Sequence, residues 1–146
     1  MKKRIVIQEI EPNAYKAMFG LEKYLSTSTI DKVLLDLIKI RASQINGCAY
    51  CIDIHTVEAM KIGETQRRIF ALSAWWESPL FTEKEKTVLK LTEEVTMITT
   101  KGLSTETYQE IERFFTENEI AQLIMQVGTI NLWNRIAVST RLTHEK

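Results

Sequence analysis

Apolar residues recur at helical spacing along most of the chain. After Pro12, which suits the first turn of a helix, Ala14, Met18, Leu21 and Leu25 follow at intervals of three or four positions. This spacing predicts a first helix. Before it, the short β-branched run at 5–7 (Ile-Val-Ile) predicts an extended arm.

Three further helices are predicted in the first half of the chain. The second contains Ile30, Val33, Leu34, Leu37 and Ile45. It ends at Asn46-Gly47, a strong turn signal. The third begins at Cys48 and ends at Gly63, which we expect to be a left-handed C-cap. A fourth, short helix ends before Pro79 and contains Ile69, Leu72, Trp75 and Trp76.

The second half begins with a capping box, Thr82 with Glu85. It opens a helix that closes at Gly102 and contains Val88, Leu91, Val95 and Ile98. Another helix begins at Ser104 and contains Tyr108, Ile111, Phe114 and Phe115.

A second capping box, Thr116 with Glu119, opens a last helix from about Glu117 to Thr140. One stripe of this helix consists of Ile120, Ile124, Val127, Asn131, Asn134 and Val138. Asparagines on an apolar stripe need hydrogen-bond partners, so we expect them either to bond a neighbouring helix end or to line a pocket. The pattern as a whole predicts an all-α bundle of six or seven helices.

Composition and charge agree with this class of fold. A length of 146 residues suits one domain over residues 1–146, and five glycines plus two prolines are too few for the turns of a β-sandwich or barrel. Nineteen basic and nineteen acidic side chains cancel, which disfavours nucleic acid as a partner. No apolar run reaches the roughly 18 residues of a membrane span, and the N-terminal run is too short for a signal peptide. A cytoplasmic protein without a membrane partner is therefore expected.

The candidate chemistry lies between residues 36 and 55. Cys48, Cys51 and His55 have i, i+3 and i+7 spacing, which places them on one helix face. Asp36 lies about as far before the turn at Asn46 as His55 lies after it, so the two are nearly level across a helical hairpin. This geometry permits a relay from Asp36 through His55 to Cys51, with Cys48 beside it.

These four side chains fit a dithiol redox site. Lowering a thiol pKa from about 8.5 to about 6.5 requires about 2.7 kcal/mol, whereas a helix start supplies only about 0.3–1 kcal/mol. A histidine that accepts the thiol proton, supported by a carboxylate, can supply the rest. A second thiol captures the oxidised sulfur as a disulfide before over-oxidation.

Two alternatives remain open at this point. Cys48, Cys51, His55 and Asp36 are also ligand types for zinc, and the cysteines can equally be inert fillers of a helix interface. A thioredoxin is disfavoured, because its Cys-x-x-Cys belongs near a βαβ unit that this chain lacks.

The segment from Leu35 to Thr56 resembles the core motif of the alkylhydroperoxidase D-like (AhpD-like) proteins of the carboxymuconolactone decarboxylase superfamily. The strongest match covers about residues 30–63, and 76–95 and 131–135 resemble the rest of the domain more loosely. The family pattern is an acidic residue, then Cys-x-x-Cys, then a histidine.

The resemblance implies an all-α, AhpD-like fold that assembles into a homotrimer or homohexamer. It also implies a thiol peroxidase that reduces a hydroperoxide without a metal or another cofactor, and an external dithiol reductant of protein or lipoyl type. Carried over by position, Cys51 is the peroxidatic cysteine, Cys48 the resolving one and His55 the base, with Asp36 at the head of the relay.

Two positions depart from the family. The family's characterised enzymes have glutamate where this chain has Asp36, and histidine where it has Tyr50. We regard Tyr50 as a supporting residue, since its hydroxyl can donate and accept a hydrogen bond. The rival interpretations are a redox-sensing or disulfide-exchange protein with little peroxidase turnover, and a non-catalytic helical assembly module.

Overall fold

The structure is a computed structural model that describes residues 4–143. Within these residues the chain forms eight α-helices and one 3₁₀ turn, and no β-strand. The helices are α1 (Ile7–Ile10), α2 (Pro12–Leu25), α3 (Lys32–Ile45), α4 (Ala49–Lys61), α5 (Gln66–Ala71), α6 (Glu83–Thr96), α7 (Thr105–Glu112) and α8 (Glu117–Thr140), and the 3₁₀ turn is Leu72–Ala74. No helix in 4–143 is both long enough and apolar enough to cross a membrane.

Helix α3 lies at the centre of the bundle and packs against α4, α6 and α8. Its apolar residues face two sides. Leu34, Leu35 and Ile38 join a core cluster with α6, α7 and α8. Leu37 and Ile40 join a second cluster with Ala59, the segment 69–81 and Leu89. Because α3 contributes to both clusters, packing on two sides fixes its orientation in the bundle.

A tight turn joins α3 to α4. Gly47 has φ +65°, a left-handed conformation in which a β-carbon is disfavoured. The amide of Cys48 donates to the carbonyl of Ser43 at 3.0 Å, and that of Gly47 donates to the carbonyl of Gln44 at 3.3 Å. This pair of bonds is a Schellman motif, and it brings α4 back along α3.

Most predicted elements are confirmed. Helices α2, α3 and α4 end where the turn and cap signals place them, and Gly63 has a positive φ of +110°. Both capping boxes are formed, at Thr82 with Glu85 and at Thr116 with Glu119. Helix α8 spans the predicted residues.

Five local expectations were wrong. Helix α7 ends at Glu112, so Phe114 and Phe115 lie after it and not within it. Ile7 opens the short helix α1 instead of ending an extended arm, so the helix count exceeds six or seven. Helix α6 ends at Thr96, which leaves Ile98 exposed in a turn. Trp75 and Trp76 follow the 3₁₀ turn, with Trp76 exposed. On α8, Ile124 and Val138 point outward, because Leu123, Gln126 and Ala137 occupy the buried side.

The two asparagines of α8 bond the end of a neighbouring helix, the first of the two expected outcomes. The Nδ2 of Asn46, the C-cap of α3, donates to Oδ1 of Asn131 at 3.0 Å and to Oδ1 of Asn134 at 2.9 Å. The Nδ2 of Asn134 then donates to Oγ of Ser43 at 2.9 Å. Asn131 extends the network to Oγ1 of Thr96 at 3.0 Å. This buried network fastens the turn at Asn46 to α8.

Replacing Asn134 with alanine should lower the free energy of unfolding by about 1–3 kcal/mol, because Asn46 and Ser43 lose partners in a site closed to water. Urea denaturation at a fixed protein concentration measures the change. The matched control is Asn118→Ala in the exposed first turn of the same helix, which should cost less than about 0.5 kcal/mol. Equal losses in the two variants would contradict a stabilising role for the network.

Candidate active site

The two cysteines lie at the start of α4. Cys48 is its N-cap, and its Sγ accepts a hydrogen bond from the amide of Cys51 at 3.3 Å. A disulfide joins Cys48 and Cys51, whose Cα atoms are 5.3 Å apart. Both residues are buried, at 2% and 4% exposure, and pack with Ala137 of α8. The Schellman turn and the asparagine network therefore hold the redox pair between α3 and α8.

His55 follows Cys51 by one helical turn. Its side chain is 18% exposed, and its Nδ1 lies 2.9 Å from Oε2 of Glu58, on the next turn of α4. Burial lowers the pKa of His55 below its usual range, and the nearby ammonium of Lys39 also lowers it. The hydrogen bond to Glu58 raises the pKa of His55, but burial outweighs it, and the neutral imidazole is therefore favoured at neutral pH.

Asp36 lies beside this histidine, on α3. One carboxylate oxygen each from Asp36 and Glu58 and one ring nitrogen of His55 lie within 4.8 Å of one another. The hydrogen bond of Asp36, however, is to Nζ of Lys39 at 3.0 Å. The structure thus brings Asp36 and His55 together as the hairpin predicted, but the carboxylate that bonds the histidine ring is Glu58.

Glu58 and Lys39 are the site residues that the sequence interpretation missed. Each lies three positions after its partner on the same helix, Glu58 after His55 and Lys39 after Asp36. This i, i+3 spacing is the signal that could have identified them. It is a weak signal, because many exposed helical pairs share it.

The donor set for a metal also differs from the one considered in the sequence. Within residues 4–143, the group close enough to share an ion is Asp36, His55 and Glu58, without either cysteine. The ammonium of Lys39 is bonded to one of its carboxylates, which opposes a cation there.

A pocket of about 490 Å³ opens onto the disulfide. Its lining includes Cys51, Tyr50, His55 and Glu58 of α4, Lys39 of α3, Tyr15, Phe19 and Glu22 of α2, and Trp133, Ile136 and Ala137 of α8. Cys48 does not belong to this lining. The pocket is mostly apolar, and its charged groups come from α2, α3 and α4.

Trp133 organises the aromatic side of the pocket. Its ring centroid lies 5.4 Å from that of Tyr15 and 5.9 Å from that of Phe19. Its indole N–H donates to Oε1 of Glu22 at 2.8 Å, which fixes α8 against α2. The aromatic wall therefore has a defined orientation opposite the cysteine.

A family model matches residues 12–94, which include both cysteines, His55, Asp36 and Glu58; its description is "Carboxymuconolactone decarboxylase family". The chain belongs to the carboxymuconolactone decarboxylase family. The resemblance drawn from the core motif is thereby confirmed. Helix α8, with Trp133 and the two buried asparagines, lies beyond the matched region.

Relatives of this family member cover nearly its full length. The uncharacterized protein YdfG of Bacillus subtilis is 41% identical over 139 residues, 95% of each chain. The crystal structure of ATU0492 from Agrobacterium tumefaciens, a protein of unknown function whose name connects it with the antioxidant defence protein AhpD, is 38% identical. It superposes with a TM-score of 0.95 over 99% of both chains. This agreement confirms the AhpD-like fold.

A more distant solved structure shares the fold. The debrominase Bmp8 is 19% identical, with a TM-score of 0.83 over 94% of this chain and 74% of its own. The fold therefore also occurs in a debrominase.

The disulfide should form and break reversibly within one chain. Reduction should expose two thiols, and mild reoxidation should remove both without a covalent dimer, because the Cα atoms of Cys48 and Cys51 are already 5.3 Å apart. Thiol titration and peptide mass spectrometry measure this, with Cys48→Ser as the variant that cannot close the bridge. A bridge between chains would contradict the prediction.

Proposed function

We propose that this protein reduces hydroperoxides, with Cys51 as the attacking thiolate and Cys48 as the resolving thiol. The observation that carries the proposal is the asymmetry of the disulfide. Cys51 lines the pocket beside His55, whereas Cys48 does not. A substrate that enters the pocket therefore meets Cys51 first.

The proposed cycle has three steps. The Cys51 thiolate attacks one oxygen of the peroxide, so an S–O bond forms and the O–O bond breaks. The leaving alkoxide takes a proton and departs as an alcohol, and Cys51 becomes a sulfenic acid. The Cys48 sulfur then attacks the Cys51 sulfur, which forms the disulfide and releases water. An external dithiol, of protein or lipoyl type, returns two electrons and two protons.

His55 is the proposed base of this cycle. It lies one helical turn from Cys51 and shares the pocket with it. Neutral imidazole can accept the thiol proton and later return it to the leaving alkoxide. Asp36 supports the charge of the imidazolium from α3, and Tyr50, which also lines the pocket, contributes a hydroxyl that can bond the substrate.

The chief rival function is that of a redox-sensing or disulfide-exchange protein, which would use the same cysteines with little peroxidase turnover. A non-catalytic assembly module is the rival from another class. A peroxidase assay with several dithiol reductants separates them, because only the proposed enzyme consumes peroxide over many turnovers. We place this activity in the cytoplasm, where reductants keep thiols available.

The two cysteines should respond differently to substitution. Cys51→Ser should abolish peroxide reduction, whereas Cys48→Ser should allow one oxidation event, trapped as a sulfenic acid on Cys51. Dimedone labelling with peptide mapping locates the sulfenic acid. Labelling of Cys48 instead would reverse the assignment of roles.

We also propose that the chain assembles into a homotrimer or homohexamer. Three large aromatic residues are enclosed within the chain and offer little surface for assembly: Trp75 and Phe81 are buried, and Trp133 lines the pocket. The support comes from α8, which is apolar on its outer side as well, with Ile124, Met125, Leu132 and Val138 exposed. A helix that is apolar all round is typical of burial on both sides.

Light scattering at micromolar concentration should give three or six times the 16.9 kDa of one chain. Leu132→Glu, on the outer side of α8, should lower this mass by placing a charge in an apolar contact. Gln109→Glu, an exposed position of α7, is the control and should leave the mass unchanged. A monomer mass for the unaltered chain would contradict the assembly.

A further inference from the structure

We propose that Glu58 is the positioning residue of His55, holding the proton on Nδ1 and leaving Nε2 as the free base. Its effect on turnover rests on the proposed function. Its effect on the histidine ring is independent of any reaction. The family pattern gives this place to the acidic residue before the cysteines, here Asp36, so the proposal moves the role to a residue outside that pattern.

The hydrogen bond itself determines which nitrogen carries the proton. Nδ1 of His55 lies 2.9 Å from Oε2 of Glu58, and an ionised carboxylate only accepts hydrogen bonds. Nδ1 must therefore be the donor. In a neutral imidazole the other nitrogen, Nε2, then has a free lone pair and can accept a proton.

Asp36 is less suited to this role because it is engaged elsewhere. Its Oδ1 accepts from Nζ of Lys39 at 3.0 Å, an ion pair within α3. Asp36 can still act on His55 through space. Among the influences on the pKa of His55, the hydrogen bond to Glu58 raises it most, and the charge of Asp36 raises it least.

The other charged and titratable groups facing His55 come from three helices. They are Tyr15 and Glu22 of α2, Asp36 and Lys39 of α3, and Tyr50 and Glu58 of α4. Glu22 is bonded to the indole of Trp133, and Lys39 to Asp36. Glu58 is thus the carboxylate whose hydrogen bond goes to the histidine ring.

The direct test is ¹⁵N NMR of the imidazole in the oxidised protein. The sequence has two histidines, so His144→Gln leaves the signal of His55 alone. The spectrum should show a protonated Nδ1 and a bare Nε2 above the pKa of the ring. Glu58→Ala should move the neutral ring toward the Nε2-protonated form that free histidine favours.

Two controls distinguish Glu58 from its neighbours. Asp36→Ala should leave the proton on Nδ1, and so should Asp53→Ala, which removes the same charge from an exposed position of α4. A ring that keeps its Nδ1 proton in Glu58→Ala would overturn the proposal. A change of tautomer in Asp36→Ala but not in Glu58→Ala would also overturn it, in favour of Asp36.

A second readout tests the charge with the hydrogen bond largely retained. Glu58→Gln keeps an acceptor for Nδ1 but removes the anion that stabilises the imidazolium. The pKa of His55 should therefore fall further, and by more than in Asp36→Asn. In a Cys48→Ser background, the pKa for iodoacetamide alkylation of Cys51 should rise by about one unit, on the order of a tenfold loss of thiolate at neutral pH. An alkylation pKa that Asp36→Asn raises and Glu58→Gln leaves unchanged would count against Glu58.

These measurements separate the two proposals. If the unaltered protein fails to reduce peroxides with any dithiol, the proposed function is wrong. A tautomer that still depends on Glu58 in that protein would support Glu58 as the positioning residue of His55.

Discussion

The turn at Asn46–Gly47 places the redox pair, and the remaining parts of the site are arranged around it. Left-handed Gly47 allows the Cys48 amide to reach the carbonyl of Ser43, so α4 starts against the end of α3. Asn46, the residue before Gly47, donates hydrogen bonds to both buried asparagines of α8. The amides of a helix's first turn have no intrahelical partners, so a cysteine pair there depends on other contacts for its position. Here α3 and α8 supply the contacts that hold the pair at the start of α4.

The same packing explains why the two cysteines differ in access. Cys48 is the N-cap and lies against the bundle, whereas Cys51 is in the first turn and lines the pocket. Helix α2 supplies the opposite wall, fixed to α8 by the bond between Trp133 and Glu22. A mostly apolar pocket lies beside one sulfur, next to the atoms that would react. The proposed division between attacking and resolving thiols is thus a consequence of the fold.

Much of the arrangement could be predicted because its signals are local. Asn46-Gly47 and the two capping boxes determine helix ends through contacts within five residues, and all were identified correctly. The short helix α1 was missed because the run leading into it, 5–7, is β-branched, and β-branched residues favour an extended chain. In the structure the chain nevertheless forms one helical turn, Ile7–Ile10, before Pro12. The bond between Trp133 and Glu22 joins residues 111 positions apart, and no spacing rule predicts it. Glu58 was missed for another reason. The sequence shows which carboxylates are near His55, but only side-chain conformations show which one bonds it.

The electrostatics around His55 depend on which carboxylate bonds the ring, Glu58, and which is paired with Lys39, Asp36. If Asp36 and Glu58 both faced the ring without a counter-charge, they would favour imidazolium, and a protonated histidine cannot accept a thiol proton. The ammonium of Lys39 offsets Asp36 at 3.0 Å and, with burial, lowers the pKa of His55. Glu58 opposes this through its hydrogen bond, and its half-exposed position limits how strongly its charge is felt. Burial and Lys39 thus favour the neutral ring, and the Glu58 carboxylate lies beside it to stabilise the charged form. In the proposed cycle, such a base would take a proton from Cys51 in one step and return it to the leaving alkoxide in the next.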